Sequence, residues 1–257
     1  MCEKQVIGLF FDYNKEKHVT GGRAMFYYYM DPTYVLVLIG VVICMLASSK
    51  MNSTFRRYSN VRSHNGMTGR EAAERILHSQ GIYDVRVEHV SGNLTDHYDP
   101  RNKVLRLSDA TWQSTSVAAI GVAAHECGHA LQHARGYVPL SIRSTLAPVA
   151  SFGSSIAWPL IILGLIFNNN MSVTLLNLGI LAFSLAVLFQ IITLPVEFNA
   201  SRRALNLLGS TGMLYEPEVS DVRKVLTAAA LTYVAGTASA ILQLLRIILL
   251  TGGRRND

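Results

Sequence analysis

The chain has 257 residues, half of them hydrophobic and only 16% charged, with a mean hydropathy of +0.26. That is too apolar for an ordinary soluble domain and fits a multi-pass membrane protein. The formal charge of +6 comes from basic residues beside apolar segments, without a basic–aromatic surface pattern, so it bears on membrane topology and speaks against nucleic acid as a partner.

Residues 1–24 are mixed polar and lack the apolar core of a signal peptide. Met25 then opens Met-Phe-Tyr-Tyr-Tyr-Met-Asp-Pro, an aromatic belt of the kind that leads into a membrane span. The expectation is a natural start at Met25, with 1–24 an annotation artefact or a disordered tail. The first span runs from about Pro32 to Ser49, which assigns 25–49 to a first transmembrane segment.

A polar domain follows over 50–145. Thr68-Gly69-Arg70-Glu71 is a capping box, and Ala72, Ala73, Ile76 and Leu77 form the buried stripe of a short helix that Gly81 closes. Val85, Val87 and Val90 alternate as a strand. Asp99-Pro100-Arg101-Asn102 is a turn, and Val104-Leu105-Arg106-Leu107 reads as a second strand. A substrate backbone docking on that strand and a plain hairpin fit the pattern equally well.

Thr115 to Ala134 reads as a helix carrying His125-Glu126-Cys127-Gly128-His129. Residues four apart share a helix face, so His125 and His129 can offer two imidazoles to one metal ion, and Glu126 beside them can act on a metal-bound water. Two histidines on a helix can also be ordinary core or surface residues. Here the flanks (Val117, Ala118, Ala119, Ile120, Val122) are small and apolar, and a buried His-Glu-His cluster needs partners. Catalytic zinc is the expected occupant, one Zn2+ per chain. Cys2, Cys44 and Cys127 are odd in number and scattered, which gives no disulfide framework, and Cys127 points off the metal face and is expected to pack.

Three more apolar segments follow: about Leu146 to Phe167, with Pro148 and Pro159 as kinks, Val173 to Leu194, and Leu226 to Leu250 with Arg246 snorkelling near its end. Domains are therefore expected at 146–194 (a transmembrane hairpin), 195–225 (a cytoplasmic helix) and 226–257 (a fourth transmembrane segment and tail). Lys50, Arg56, Arg57, Arg62, Arg135, Arg143, Arg202, Arg203, Arg223 and Lys224 fall on one side, while Asn168-Asn169-Asn170-Met171-Ser172 is uncharged. The positive-inside rule then puts the histidine motif in the cytoplasm of a multi-pass plasma or inner-membrane protein; Arg254 and Arg255 oppose this mildly.

A catalytic zinc takes three protein ligands and a water. His133 lies eight residues from His125, about 12 Å along a helix, too far to share an ion, and Arg135 stands where a metzincin would place a third histidine. Glu197 returns to the motif's side after two crossings, on a helix that Pro195 is expected to begin with Ser201 on the same face. Two readings of Glu197 stand: third ligand, or interfacial glutamate paired with Arg202 or Arg203. Glu71, Glu74, Glu216, Glu218 and Asp221 read as capping or solvated-face residues.

The stretches Leu94-Thr95-Asp96-His97-Tyr98-Asp99-Pro100 to Leu107-Ser108, Ala123-Ala124-His125-Glu126-Cys127-Gly128-His129-Ala130, and Leu194-Pro195-Val196-Glu197-Phe198 closely resemble the YugP-type bacterial membrane zinc metallopeptidases, the neutral zinc metallopeptidase family. The resemblance covers about Met25 to Leu250. It implies a mainly α, multi-pass membrane protein with about four transmembrane helices and a small α+β zincin-like catalytic domain. It further implies a membrane zinc endopeptidase. More distantly the layout is similar to HtpX-like and CAAX prenyl proteases, where spans separate H-E-x-x-H from a glutamate ligand in E-x-x-x-D. Carried over by position, Glu197 becomes the third ligand, while Ser201 stands in place of the aspartate as a second-sphere partner.

The expected chemistry is peptide hydrolysis by a zinc-activated water, with Glu126 as general base at the membrane surface. His97, Tyr98, Tyr137 and Arg202 are candidates to contact the oxyanion or substrate. The expected partners are the lipid bilayer and a peptide or membrane-protein substrate. Two rival readings are an intramembrane protease, with the motif helix in the bilayer, and a non-catalytic scaffold whose zinc is structural.

Overall fold

A computed structural model describes residues 31–167 and 170–252. The expectations for 1–24 and the belt from Met25 to Met30 lie outside the described residues, as do Arg254 and Arg255. In chain order the elements are α1 (Tyr34–Ser59), α2 (Gly69–Ser79), β1 (Arg86–Val90), β2 (His97–Asp99), β3 (Val104–Ser108) and the single turn α3 (Asp109–Trp112). Then come α4 (Val117–Ala134), α5 (Val138–Ile166), α6 (Asn170–Ser210) and α7 (Glu216–Gly252). The chain is a mainly α multi-pass membrane protein: α1, α5, α6 and α7 are the four described helices long and apolar enough to cross a bilayer.

The described residues fall into two compact units. One comprises residues up to Ser48, Val149–Leu188 and those from Val234 onward. Its helices approach closely through small residues. A Cβ on Gly40 would meet Ser239 Oγ at 2.6 Å, and one on Gly179 would meet Ile161 Cγ1 at 2.6 Å. Arg246 does not snorkel outward. Its side chain is 11% exposed, lies 3.7 Å from Asp31 Oδ2 and stacks 4.1 Å from the Tyr34 ring centroid, because a local carboxylate and an aromatic face can partner the cation.

The other unit is Ser49–Pro148 with Phe189–Tyr233. α2 begins with the full capping box: Thr68 Oγ1 accepts from Glu71 N, and Thr68 N donates to Glu71 Oε2. Gly81, at φ +72°, ends it in the left-handed region while Ile82 N reaches back to Leu77 O. Ala72, Ala73, Ile76 and Leu77 are buried in a core shared with α4, β3, α6 and α7.

The sheet order is β1-β3-β2. β1 pairs in parallel with β3 and β2 pairs antiparallel to it, so the strand at 86–90 and the strand at 104–108 are not a hairpin. The short β2 intervenes and makes the hairpin instead. β3 is therefore central and covered on both sides, which leaves it no edge for a substrate strand. The open edge nearest α4 belongs to β2.

α6 runs unbroken through Pro195 rather than starting there. An internal proline costs about 3 kcal/mol. Here Val196, Ala200, Ala204 and Leu208, spaced four apart, are all fully buried, and this ridge holds the helix together past the proline. α5 likewise includes Pro148 and Pro159 within one helix.

Candidate metal centre

α4 is buried almost all round because its residues are small. Ser116 caps it, accepting from Ala119 N. Gly128 allows α6 to cross in contact: a Cβ there would lie 2.5 Å from Ala200 O and 3.0 Å from Ala200 C and Cα. That crossing delivers Glu197, one turn before Ala200, to the histidines.

His125, His129 and Glu197 converge, each offering one atom, with all three atoms within 4.8 Å of one another. Glu197 Oε2 lies 3.3 Å from His125 Nε2 and 3.5 Å from His129 Nε2. The carboxylate is 2% exposed and the two imidazoles 14% and 12%. The rings stand nearly perpendicular, at 87°.

Each ring has a partner on its far nitrogen. His125 Nδ1 lies 3.1 Å from Ser201 Oγ. His129 Nδ1 lies 3.0 Å from Gln132 Oε1. The fully buried Gln132 also donates from Nε2 to Val196 O (2.8 Å) and Asn199 Oδ1 (3.0 Å), so one amide ties His129 to the helix that carries Glu197. Arg203 Nε donates to Asn199 Oδ1 at 2.7 Å and extends the network.

Glu197 does not pair with Arg202 or Arg203. Its Oε1 forms an ion pair with Arg143 Nη1 at 3.2 Å, and the Tyr233 side chain also hydrogen-bonds the carboxylate. The sequence does not single out Gln132, Arg143 or Tyr233 as site residues. Gln132 had a local signal, since it sits three residues after His129 on the same face. Arg143 counted only as a topological charge.

Glu126 is 8% exposed, and burial pushes its carboxyl up to about 7. The Tyr98 backbone N–H donates to it. Neighbours on a strand face opposite ways, and His97 and Tyr98 do so. Tyr98 turns to α4, where its hydroxyl, pushed up to about 12 by burial, bonds His133 Nδ1 at 2.8 Å. His97 is exposed and engages Thr95 O and Arg106 Nη1. Tyr137 packs beneath the Arg203 guanidinium, 5.8 Å from the ring centroid, and Arg202 is exposed. Cys127 is buried, its thiol directed at Ala73 O. Glu71, Glu74, Glu218 and Asp221 serve caps and surface pairs.

Residues 33–252 match the family model described as "Putative neutral zinc metallopeptidase". The chain is 47% identical over 222 residues to the "Putative membrane protease YugP" of Bacillus subtilis (strain 168), an alignment covering 86% of this chain and 97% of that protein. No solved structure matches the chain. With a family model spanning most of its length and its two motif histidines gathered around a buried carboxylate, the chain belongs to the neutral zinc metallopeptidase family.

Proposed function

We propose that this protein is a membrane-anchored zinc endopeptidase, with His125, His129 and Glu197 as zinc ligands and Glu126 as general base. The observation that carries the reading is the approach of one Glu197 oxygen to both imidazoles. Ligands about 2.0–2.1 Å from one tetrahedral ion stand about 3.3–3.4 Å apart, and Glu197 Oε2 lies 3.3 and 3.5 Å from the two Nε2 atoms. The donor set, two imidazoles and one carboxylate, is that of a catalytic zinc with an open position. When bound, zinc supplies a Lewis acid that polarises a carbonyl and acidifies water.

The protein's own residues do the rest. Ser201 and Gln132 accept the Nδ1 protons, which leaves both Nε2 atoms free to ligate. Glu126 takes the proton of the attacking water and returns it to the leaving amine. Because the Tyr98 N–H points at Glu126, it faces away from β3, so the β2 edge brings an extended peptide backbone alongside the base. Tyr98, held by His133, is the best placed of the candidate substrate contacts.

The scaffold reading needs a fourth protein ligand. Cys127 and His133, the nearest donors in sequence, are committed to Ala73 O and Tyr98. The intramembrane reading is disfavoured because α4 is not among the helices long and apolar enough to span. The basic residues flanking the spans support a cytoplasmic active site at the membrane surface, acting on peptides or membrane proteins.

Glu126→Gln tests the base: zinc content stays at the wild-type level while casein cleavage falls about 10²–10⁴-fold. Cleavage near the wild-type rate would remove Glu126 from the mechanism.

A further inference from the structure

The Glu197 carboxylate is used unequally. Oε2 faces both imidazoles, while Oε1 is ion-paired with Arg143 Nη1 at 3.2 Å and Tyr233 also bonds the group. A carboxylate has about four lone-pair sites and can bind a metal through one oxygen or both. Two-oxygen binding would add a fifth ligand and crowd the position that a hydrolytic zinc leaves for water. We infer that Arg143, assisted by Tyr233, confines Glu197 to one-oxygen ligation and so keeps that position open. Arg143 is thus a positioning residue, and the inference rests on the zinc reading above.

The physics favours this role over a purely topological one. The positive-inside rule asks only that a basic residue lie near a span end. It does not ask that a guanidinium in the second turn of α5 reach a carboxylate that is 2% exposed. The guanidinium sits 3.2 Å from Oε1, the oxygen that a second metal–oxygen bond would use. Its charge also compensates a buried carboxylate that would otherwise be costly before metal arrives. Lysine keeps the charge and offers donors without the fixed planar fork, so Arg143→Lys should preserve part of the effect.

The test uses the full-length protein in detergent, loaded with Co2+, whose visible absorption is strong when four-coordinate and weak when five-coordinate. Wild type should show the four-coordinate spectrum. Arg143→Gln should bind one Co2+ with lost intensity, Tyr233→Phe should move the same way, and Arg143→Lys should recover towards wild type. Competition with a chelator should show several-fold tighter zinc binding in Arg143→Gln, because the buried carboxylate is then uncompensated until metal arrives and gains a second metal–oxygen bond. Wild-type spectra and affinities in both Arg143→Gln and Tyr233→Phe overturn the inference. If Arg143→Gln does not fold, Tyr233→Phe decides it by the same spectrum, and a wild-type spectrum there overturns the inference. If Glu197→Ala leaves the cobalt spectrum unchanged, the zinc reading itself is wrong and this inference falls with it.

Discussion

Gly128→Ala alters neither a ligand nor a charge, yet it should disable the site. The added methyl would sit 2.5 Å from Ala200 O and 3.0 Å from Ala200 C and Cα, all backbone atoms of α6 that no rotamer change can move. Ordinary van der Waals contact needs about 3.5 Å or more, so α4 and α6 must part by about 1 Å at their crossing. Overpacking of this kind costs about 1–3 kcal/mol. The displacement falls within four residues of Glu197 and next to Ser201, and would stretch the 3.3 and 3.5 Å separations beyond the span of one ion. Zinc affinity should fall at least as far as when a supporting residue is lost, about 10–100-fold. The assay is chelator competition on purified protein beside a thermal melt. Gly209→Ala on the same α6 is the control: nothing lies within 4 Å of its added methyl, so it should leave zinc binding intact and stabilise by up to about 1 kcal/mol. Wild-type zinc affinity in Gly128→Ala would refute the claim that this crossing assembles the site.

Two further outcomes are expected. Gln132→Leu and Ser201→Ala should each weaken zinc about 10–100-fold by releasing a ligand's Nδ1–H, while Gln132→Glu and Ser201→Asp, which keep an acceptor, should retain most of the affinity; chelator competition reads all four. Asp99 is held down to about 2, first by Asn102 and with help from the Arg101 N–H and Arg106. A depressed carboxyl stabilises the fold above its unfolded value and loses that contribution as pH falls, here between about 4 and about 2. Asp99→Asn should therefore flatten the fall of melting temperature across that window, and an unchanged acid limb would show that the turn carries no such linkage.

Local pattern made the motif helix, its capped neighbour α2 and the four apolar helices legible, because periodicity and cap chemistry act within a few residues. Glu197 was reachable by counting membrane crossings. The sheet order was not, since β2 is only three residues long and parallel pairing leaves no mark in the strands themselves. The continuity of α6 through Pro195 was equally hidden: the proline is a local signal, and the buried ridge that overrides it is tertiary. The partners of the site were the least readable. Ser201 meets His125 across 76 residues, Gln132 meets Val196 across 64, and Arg143 meets Glu197 from a different helix.

The most direct test of the central claim is the metal content of detergent-purified protein, wild type beside Glu197→Ala, paired with casein cleavage with and without chelator. The account predicts one zinc per wild-type chain, its loss in the variant, and cleavage that chelator abolishes. Zinc retained in Glu197→Ala would contradict the ligand set, and chelator-resistant cleavage would contradict the zinc mechanism.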